Sequence, residues 1–315
     1  MLSKLQWEEH LLPLLVPRVR NAIRGLPHRD RQQVEEIRLR SGSHPLLDMG
    51  DRSCPLPLPE GVLTLTDIQE TVNLLSQYSF YAYAGQLAQG YLTVAGGHRI
   101  GVAGRVVAEN NLVTAMAEIA SLNFRVARQL PGVADTALPW LFTSRGQVCS
   151  TLILAPPRCG KTTLLRDLVR QLSAGGQGRA GLNVGLVDER SELAGCYRGV
   201  PQLDVGPRTD VLDACPKEQG LLMLVRSMGP QVVAADELGR SGDMAAIESA
   251  LCAGVAVLCT AHANDLKDAE NKPVLGKLLA QGFFERILVL ARHNGKPRLA
   301  AVIALPDRQF LYRSD

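Results

Sequence analysis

The sequence predicts an α/β protein in which a mainly parallel sheet carries a phosphate-binding loop, with a smaller α+β domain ahead of it. Three observations carry that expectation. Residues 151–173 read TLILAPPRCGKTTLLRDLVRQLS: an apolar run, a Pro-containing turn closing in Gly-Lys-Thr-Thr, and a helix-period segment. From there on, strand-like runs alternate with helical stretches, as βαβ units do. The central runs end in the polar groups GKTT, DER, DE and TAH, and ligands of parallel sheets collect at that carboxyl edge.

In the loop itself, Leu152, Ile153 and Leu154 read as a buried strand, and Leu164, Leu165, Leu168, Val169 and Leu172 are spaced for one apolar helix face. Strand, turn and helix in that order suit a phosphate site. Residues Pro157, Arg158, Cys159, Gly160, Lys161, Thr162 and Thr163 form its cradle, with backbone N–H groups and the helix N-terminus facing an anion. The lysine reaches the terminal phosphates, and the Thr162 hydroxyl binds Mg²⁺. Ala155 stands where the strict pattern has glycine, which admits a positive φ that alanine adopts only at a cost. Taken alone, the stretch also fits an ordinary strand-to-helix turn, and the other strand ends must decide.

Length and composition bound the rest. At 315 residues the chain is comfortable for two domains. Hydrophobic residues at 46% support full cores, and 4% aromatic residues make those cores aliphatic. With 34 basic and 31 acidic residues the net charge is +3, which argues against a nucleic-acid-coating protein. The seven cysteines are scattered and never form C-x-x-C. That usage fits a reducing cytosol, with Cys252 and Cys259 packing as small hydrophobes. The N-terminus, with Glu8, Glu9 and His10, lacks the apolar core of a signal peptide, and no uncharged apolar run suits a membrane span. A soluble protein is expected, meeting membranes only through partners.

Residues 1–30 mix Leu and Val with Arg and contain Pro13, Pro17 and Pro27, so helical turns punctuated by prolines are expected. Residues 34–40 alternate as a half-buried strand, prolines 55, 57 and 59 mark a loop, and Thr66-Asp67 reads as the N-cap of a helix to about Gln77. A short aromatic-flanked helix then leads into a hairpin, strands 91–94 and 99–107 around Gly96-Gly97, with a further strand at 120–127. Loosening around Pro131, Gly132 and Pro139 places the junction near 140, giving domains 1–140 and 141–315. Beyond the phosphate loop the expected elements are strand 183–187, helix 217–228, strand 231–235, helix 243–253 and strand 255–259. Strands 286–291 and 299–304 follow, around a turn at His293-Asn294-Gly295.

The strand ends supply the chemistry. Asp236-Glu237 after QVVAA has the form of a Walker B pair: the aspartate holds Mg²⁺ and the glutamate polarises the attacking water. A bare acidic pair capping the next helix is the competing account. In Asp188-Glu189-Arg190-Ser191-Glu192, Glu189 or Glu192 is placed to orient water or metal, against a solvated charge run. In Thr260-Ala261-His262, a hydroxyl or His262 senses the γ-phosphate, against a structural histidine. Arginines for a phosphoryl transition state are sought among Arg99, Arg105 and Arg125 in the first domain and Arg226 and Arg240 in the second. Cys159, beside Lys161 at a helix N-terminus, has a setting that favours the thiolate and alkylation, without a catalytic part.

Long segments carry a family resemblance. PPRCGKTTLLRDLVRQLS, VGLVDERSELAGCYRGVPQLDVGPRTDVLDACPKEQGLLMLVRSMGPQVVAADELGR, TAHA, GYLTVAGGHRIGVAGRVV and SLNFRVAR resemble the stage III sporulation protein AA family, from about residue 34 to near the C-terminus. That family is similar to the ATPases of type II and type IV secretion and pilus assembly. The resemblance implies a RecA-like P-loop NTPase core with a smaller N-terminal α+β domain, ATP and Mg²⁺ as cofactors, and a homo-oligomer in the form of a hexameric ring. It implies work in the mother-cell cytoplasm, powering or gating a transport complex at the forespore membranes, with membrane proteins of the same sporulation complex as partners. By position, Lys161 and Thr162 are its Walker A residues, Asp236 and Glu237 its Walker B residues, DERSE an acidic box and TAH a histidine box. Arg99, Arg105 and Arg125 stand where related ATPases keep arginines that approach nucleotide. The tetracysteine motif or extra C-terminal domain common among secretion ATPases is not evident. Two other readings stand beside this one: a nucleic-acid-dependent RecA-like motor, disfavoured by near-neutral charge and few aromatics for stacking, and a non-catalytic nucleotide switch or scaffold.

Overall fold

A computed structural model describes residues 6–50, 52–76, 84–109, 112–176, 178–293 and 296–314. The chain folds into two compact units, Met1–Arg128 with Gly195–Gln202, and Gln129–Ala194 with Leu203–Asp315.

The first unit begins with three short helices, α1 (Gln6–Leu11), α2 (Pro17–Arg24) and α3 (His28–Gln33). Prolines sit at or just before helix starts: Pro17 opens α2 and Pro27 precedes α3, where a missing N–H costs nothing. Strands β1 (Glu36–Arg40), β2 (Leu46–Asp48) and β3 (Ser53–Pro55), helices α4 (Leu65–Ser76) and α5 (Ala84–Ala88), and strands β4 (Tyr91–Val94), β5 (His98–Glu109) and β6 (Leu112–Arg125) complete it. The sheet is antiparallel, in the order β3-β2-β1-β6-β5-β4. Its core is aliphatic around Ile37, Leu39, Leu92, Ile100 and Phe124, with Leu11, Leu15, Val19 and Ile23 packed in from the helices.

Several expectations are refined here. The cap of α4 is Thr64: its hydroxyl accepts the Asp67 N–H at 3.2 Å while the Asp67 carboxylate accepts the Thr64 N–H at 2.6 Å. Thr66 lies inside the first turn, because the reciprocal cap selects the hydroxyl three residues before the acid. Gln77 and the aromatic stretch through residue 83 lie outside the described residues, as do Asn294 and Gly295. Strand β6 begins earlier than the expected 120–127. Residues 112–119 extend β6 by pairing with β5 as far as Glu109↔Leu112, and Val113, Thr114 and Ile119 suit that strand. At the β4–β5 turn, Gly96 has φ +79°, and a Cβ there would collide with His10 Nδ1.

In the second unit, β7 (Thr151–Ala155) is followed by α6 (Lys161–Ala174), β8 (Val184–Asp188), β9 (Thr209–Asp213), α7 (Lys217–Met228), β10 (Val232–Ala235), α8 (Ser241–Cys252), β11 (Ala256–His262), α9 (Leu266–Asn271) and α10 (Pro273–Ala280). Strands β12 (Arg286–His293), β13 (Lys296–Ala304) and β14 (Gln309–Arg313) end the chain. The sheet order is β14-β13-β12-β7-β11-β10-β8-β9, parallel from β12 to β9 and antiparallel at β12-β13-β14. One face packs Leu152, Leu154, Val187, Val233, Val257 and Ile287 under α7, α8 and α10; α6 lies against β7, β8, β9 and β11.

Buried Asp167 of α6 fastens the entry segment by accepting the N–H groups of Gly132 and Ala134, both at 2.9 Å. Cys259 packs in the sheet, its thiol pushed up to about 12 by burial, whereas Cys252, at the end of α8, is exposed because it falls on the helix's outer face. No described helix is long and apolar enough to cross a membrane.

Acid should loosen the first unit through His98. Its Nδ1 accepts the Ala127 N–H at 2.9 Å, and its Nε2 lies 3.3 Å from His10 Nδ1. Burial first, then the charge of His10, lowers its pKa from 6.5 to about 4. The unfolded chain therefore takes up a proton near pH 6.5 that the folded one refuses until about pH 4. Stability from this group is present above that window and falls across it as pH drops, by on the order of 3 kcal/mol. Urea denaturation between pH 7 and pH 4.5 should show this loss, and His98→Asn, which keeps an acceptor without the titration, should reduce the slope.

Candidate active site

The parallel strands bring their following loops to one edge of the sheet, and backbone strain gathers there. Of seven described non-glycine residues with positive φ, four directly follow these strands: Arg158 after β7, Ser191 after β8, Ala214 after β9 and Glu237 after β10. Such conformations cost of order 1–3 kcal/mol each and persist where their surroundings hold them.

In the loop between β7 and α6, the left-handed positions are Arg158 (φ +58°) and Gly160 (φ +80°), which is the N-cap of α6. Ala155 is an ordinary, fully buried strand residue paired with His262 of β11. The backbone thus makes no demand for glycine at 155, and the expected cost of alanine does not arise. Lys161 is 6% exposed. Its Nζ lies 3.3 Å from the Pro156 carbonyl and 3.0 Å from His262 Nδ1, and it has no ion pair among the described residues. Burial lowers its pKa, with Asp236 and Glu237 pulling the other way.

The next strands supply the acid side. The order β7-β11-β10 inserts β11 between the lysine's strand and that of Asp236. Asp236 Oδ2 accepts the Thr162 hydroxyl at 2.6 Å, and Oδ1 accepts the Thr260 hydroxyl. Thr260 Oγ1 in turn accepts the Glu237 N–H at 2.9 Å, and the Leu238 N–H reaches the Thr260 carbonyl at 2.7 Å. These bonds hold Glu237 at φ +56° and aim its carboxylate at two partners, His262 Nε2 at 3.2 Å and Arg190 Nη1 at 2.8 Å. If Lys161 donates to Nδ1, the Nε2 of a neutral His262 carries the proton and donates to Glu237.

Of the acidic box, Asp188 is a turn anchor: its carboxylate accepts the N–H groups of Glu192, Leu193 and Ala194 at 2.8–3.0 Å. Glu189 is bound by buried Lys217 and by Arg240, each at 2.8 Å. Burial opposes its ionisation, but these two cations hold its carboxyl below the usual range. Buried Arg166 of α6 donates to the carbonyls of Leu193 and Glu192, tying the turn to the phosphate-loop helix.

Lys161, Thr162, Asp236, Glu237 and His262 are thus joined by direct contacts, while Glu189 borders the same cleft as Asp236 and Glu237. Cys159 is 1% exposed, so its thiol is closed to the alkylation expected from its sequence setting. Arg99, Arg105 and Arg125 belong to the first unit. Arg99 stacks 3.7 Å above the Tyr91 ring and is the cross-strand partner of Arg125. Arg105 lies 3.5 Å from Glu118, and Arg125 lies 3.4 Å from Glu36. Sequence reasoning passed over Arg190, Arg166 and Lys217. Arg190 stood inside DERSE, where the acids drew attention. The two buried cations sat in amphipathic helices, indistinguishable from surface charges.

The family described as "Sporulation stage III, protein AA" matches residues 6–307, and the chain belongs to that family. It is 43% identical over 277 residues to the stage III sporulation protein AA of Bacillus subtilis, covering 88% of this chain and 89% of that one. Among solved structures, the Legionella pneumophila ATPase DotB aligns with a TM-score of 0.57 at 13% identity, over 87% of this chain and 78% of its own. The pilus retraction motor PilT with bound ADP aligns at 0.57 and 15% identity, over 90% and 80%. These likenesses show the fold, a RecA-like P-loop core with a smaller N-terminal α+β domain.

Thr260 is the joint between the two acids, so Thr260→Val should take one of two hydrogen bonds from the Glu237 N–H and one from Asp236 Oδ1, leaving these two groups only their 3.1 Å contact with each other. A loss of about 1–3 kcal/mol is expected, read by urea denaturation; an unchanged midpoint would remove Thr260 from this role.

Proposed function

We propose that this member of the Sporulation stage III, protein AA family is an ATP-hydrolysing motor or assembly ATPase. The observation that carries the reading is Lys161, a buried residue whose ammonium makes no ion pair among the described residues although Asp236 and Glu237 are near enough to act on its charge, and which is set beside the Thr162–Asp236 pair. A buried cation needs an anion, and a polyphosphate on the α6 N-terminus supplies one. Among the described residues no group of three or more His, Cys, Asp or Glu is arranged for a metal. Mg²⁺ would therefore be held by the Thr162 hydroxyl and Asp236 together with phosphate oxygens and water, as this ion prefers. Bound there, it would neutralise charge developing between the β- and γ-phosphates.

In this mechanism Pro157 to Thr163 cradle the phosphates and Lys161 binds the terminal oxygens. Asp236 orients Thr162, and Glu237 takes the proton of the attacking water. His262 bridges Lys161 and Glu237, so phosphate binding at the lysine is felt at the base. Glu189 keeps Lys217 and Arg240 in place at the rim. Arg99, Arg105 and Arg125 are the arginines of the N-terminal domain for approach to nucleotide, by the resemblance to secretion ATPases. By the same resemblance the protein works as a homo-oligomeric, hexameric ring in the mother-cell cytoplasm, docked on membrane proteins of a sporulation transport complex that it powers or gates.

Lys161→Ala and Glu237→Gln should each lower ATP turnover by about 100-fold or more, measured as phosphate release. Glu237→Gln should still bind ATP, and robust hydrolysis by that variant would remove Glu237 as the base. Wild-type turnover no higher than that of Lys161→Ala would favour a switch or scaffold, and stimulation by DNA or RNA with a steep salt dependence would favour a nucleic-acid motor.

A further inference from the structure

Lys161, His262, Glu237 and Arg190 form a continuous chain of side chains across the sheet edge. Contacts of 3.0 Å, 3.2 Å and 2.8 Å link them in that order. Both oxygens of the Glu237 carboxylate are engaged, Oε1 with His262 and Oε2 with Arg190. A carboxylate so occupied is badly placed to accept a proton from water, because a general base needs an oxygen within hydrogen-bond reach of the proton it takes. Arg190 can let go. Its side chain is 58% exposed and that of Glu237 32%, so the pair is screened by solvent and weakly held. A guanidinium binds phosphate through parallel N–H bonds at least as well as it binds a carboxylate.

We propose that Arg190 is exchanged between Glu237 and the γ-phosphate of a bound nucleoside triphosphate. With a triphosphate present, the arginine moves to the terminal phosphate and an oxygen of Glu237 is freed for water. With a diphosphate, which lacks that phosphate, Arg190 stays on Glu237 and the base stays covered. Arg190 is thus a positioning residue for the base and the feature by which the site tells triphosphate from diphosphate. The arrangement suits this: Arg190 follows β8, Glu237 follows β10, and the two strands are direct neighbours. The inference rests on the ATPase reading above.

The test is a double-mutant cycle in nucleotide binding, using the full chain, Mg²⁺, ADP and a nonhydrolysable ATP analogue, read by calorimetry. Glu237→Gln removes the carboxylate charge that competes for Arg190. It should tighten binding of the triphosphate analogue about three- to tenfold while leaving ADP unchanged. Arg190→Ala should weaken the analogue by a similar factor and spare ADP, and Arg190→Lys should restore part of the loss. In the Arg190→Ala background Glu237→Gln should give no gain. Equal effects on both nucleotides, or effects of the two substitutions that simply add, would overturn the exchange while leaving the ATPase reading intact. Binding by wild type that is indifferent to Lys161→Ala would defeat the ATPase reading, and the exchange with it.

Discussion

The candidate site hangs on the Asp236 carboxylate. One oxygen takes the Thr162 hydroxyl from the phosphate-loop helix and the other takes the Thr260 hydroxyl from β11. Three segments distant in sequence are thereby fixed at one point. The strained Glu237 follows from that fixation, since its N–H is held by Thr260 and by Asp236 itself. Such hydrogen bonds to a charged acceptor are among the stronger ones a protein makes.

A second constraint is the place of β11 between β7 and β10. Side chains two apart on a strand share a face, so Thr260 and His262 project together. The strand's position then lets Thr260 meet the acid on one side and His262 meet the lysine. Polar residues at the end of an edge strand would have had only one neighbour to serve. The strand also runs through His262, past the expected end at Cys259, because pairing with β7 continues to His262↔Ala155.

Charge is managed by the same economy of contacts. Lys217 and Arg240 neutralise Glu189, Arg166 satisfies carbonyls of the turn that Asp188 anchors, and Arg190 covers Glu237. Among the described residues, Lys161 is matched instead with a neutral carbonyl and an imidazole. That contrast, rather than the presence of the motif, is the physical case for a phosphate ligand.

Much was legible in the order of residues. The helix-period apolar face of α6, the alternation of strands and helices, and the polar groups ending each central run all follow from local patterning, which tertiary structure seldom overturns in long periodic segments. The extent of β6, and the existence of β9 and β14, were not legible, because β9 and β14 are five-residue edge strands and residues 112–119 pair on one side only, so each is a strand through the ladder that a single neighbour offers. Tertiary structure alone decided that Ala155 needs no left-handed backbone, that Glu189 is bound by Lys217 and Arg240, and that Arg190 reaches Glu237. Each depends on which strands lie side by side, and that adjacency is a property of the folded sheet rather than of any stretch of chain. The sequence determined which chemical groups arrive at the edge; the sheet order determined which of them touch.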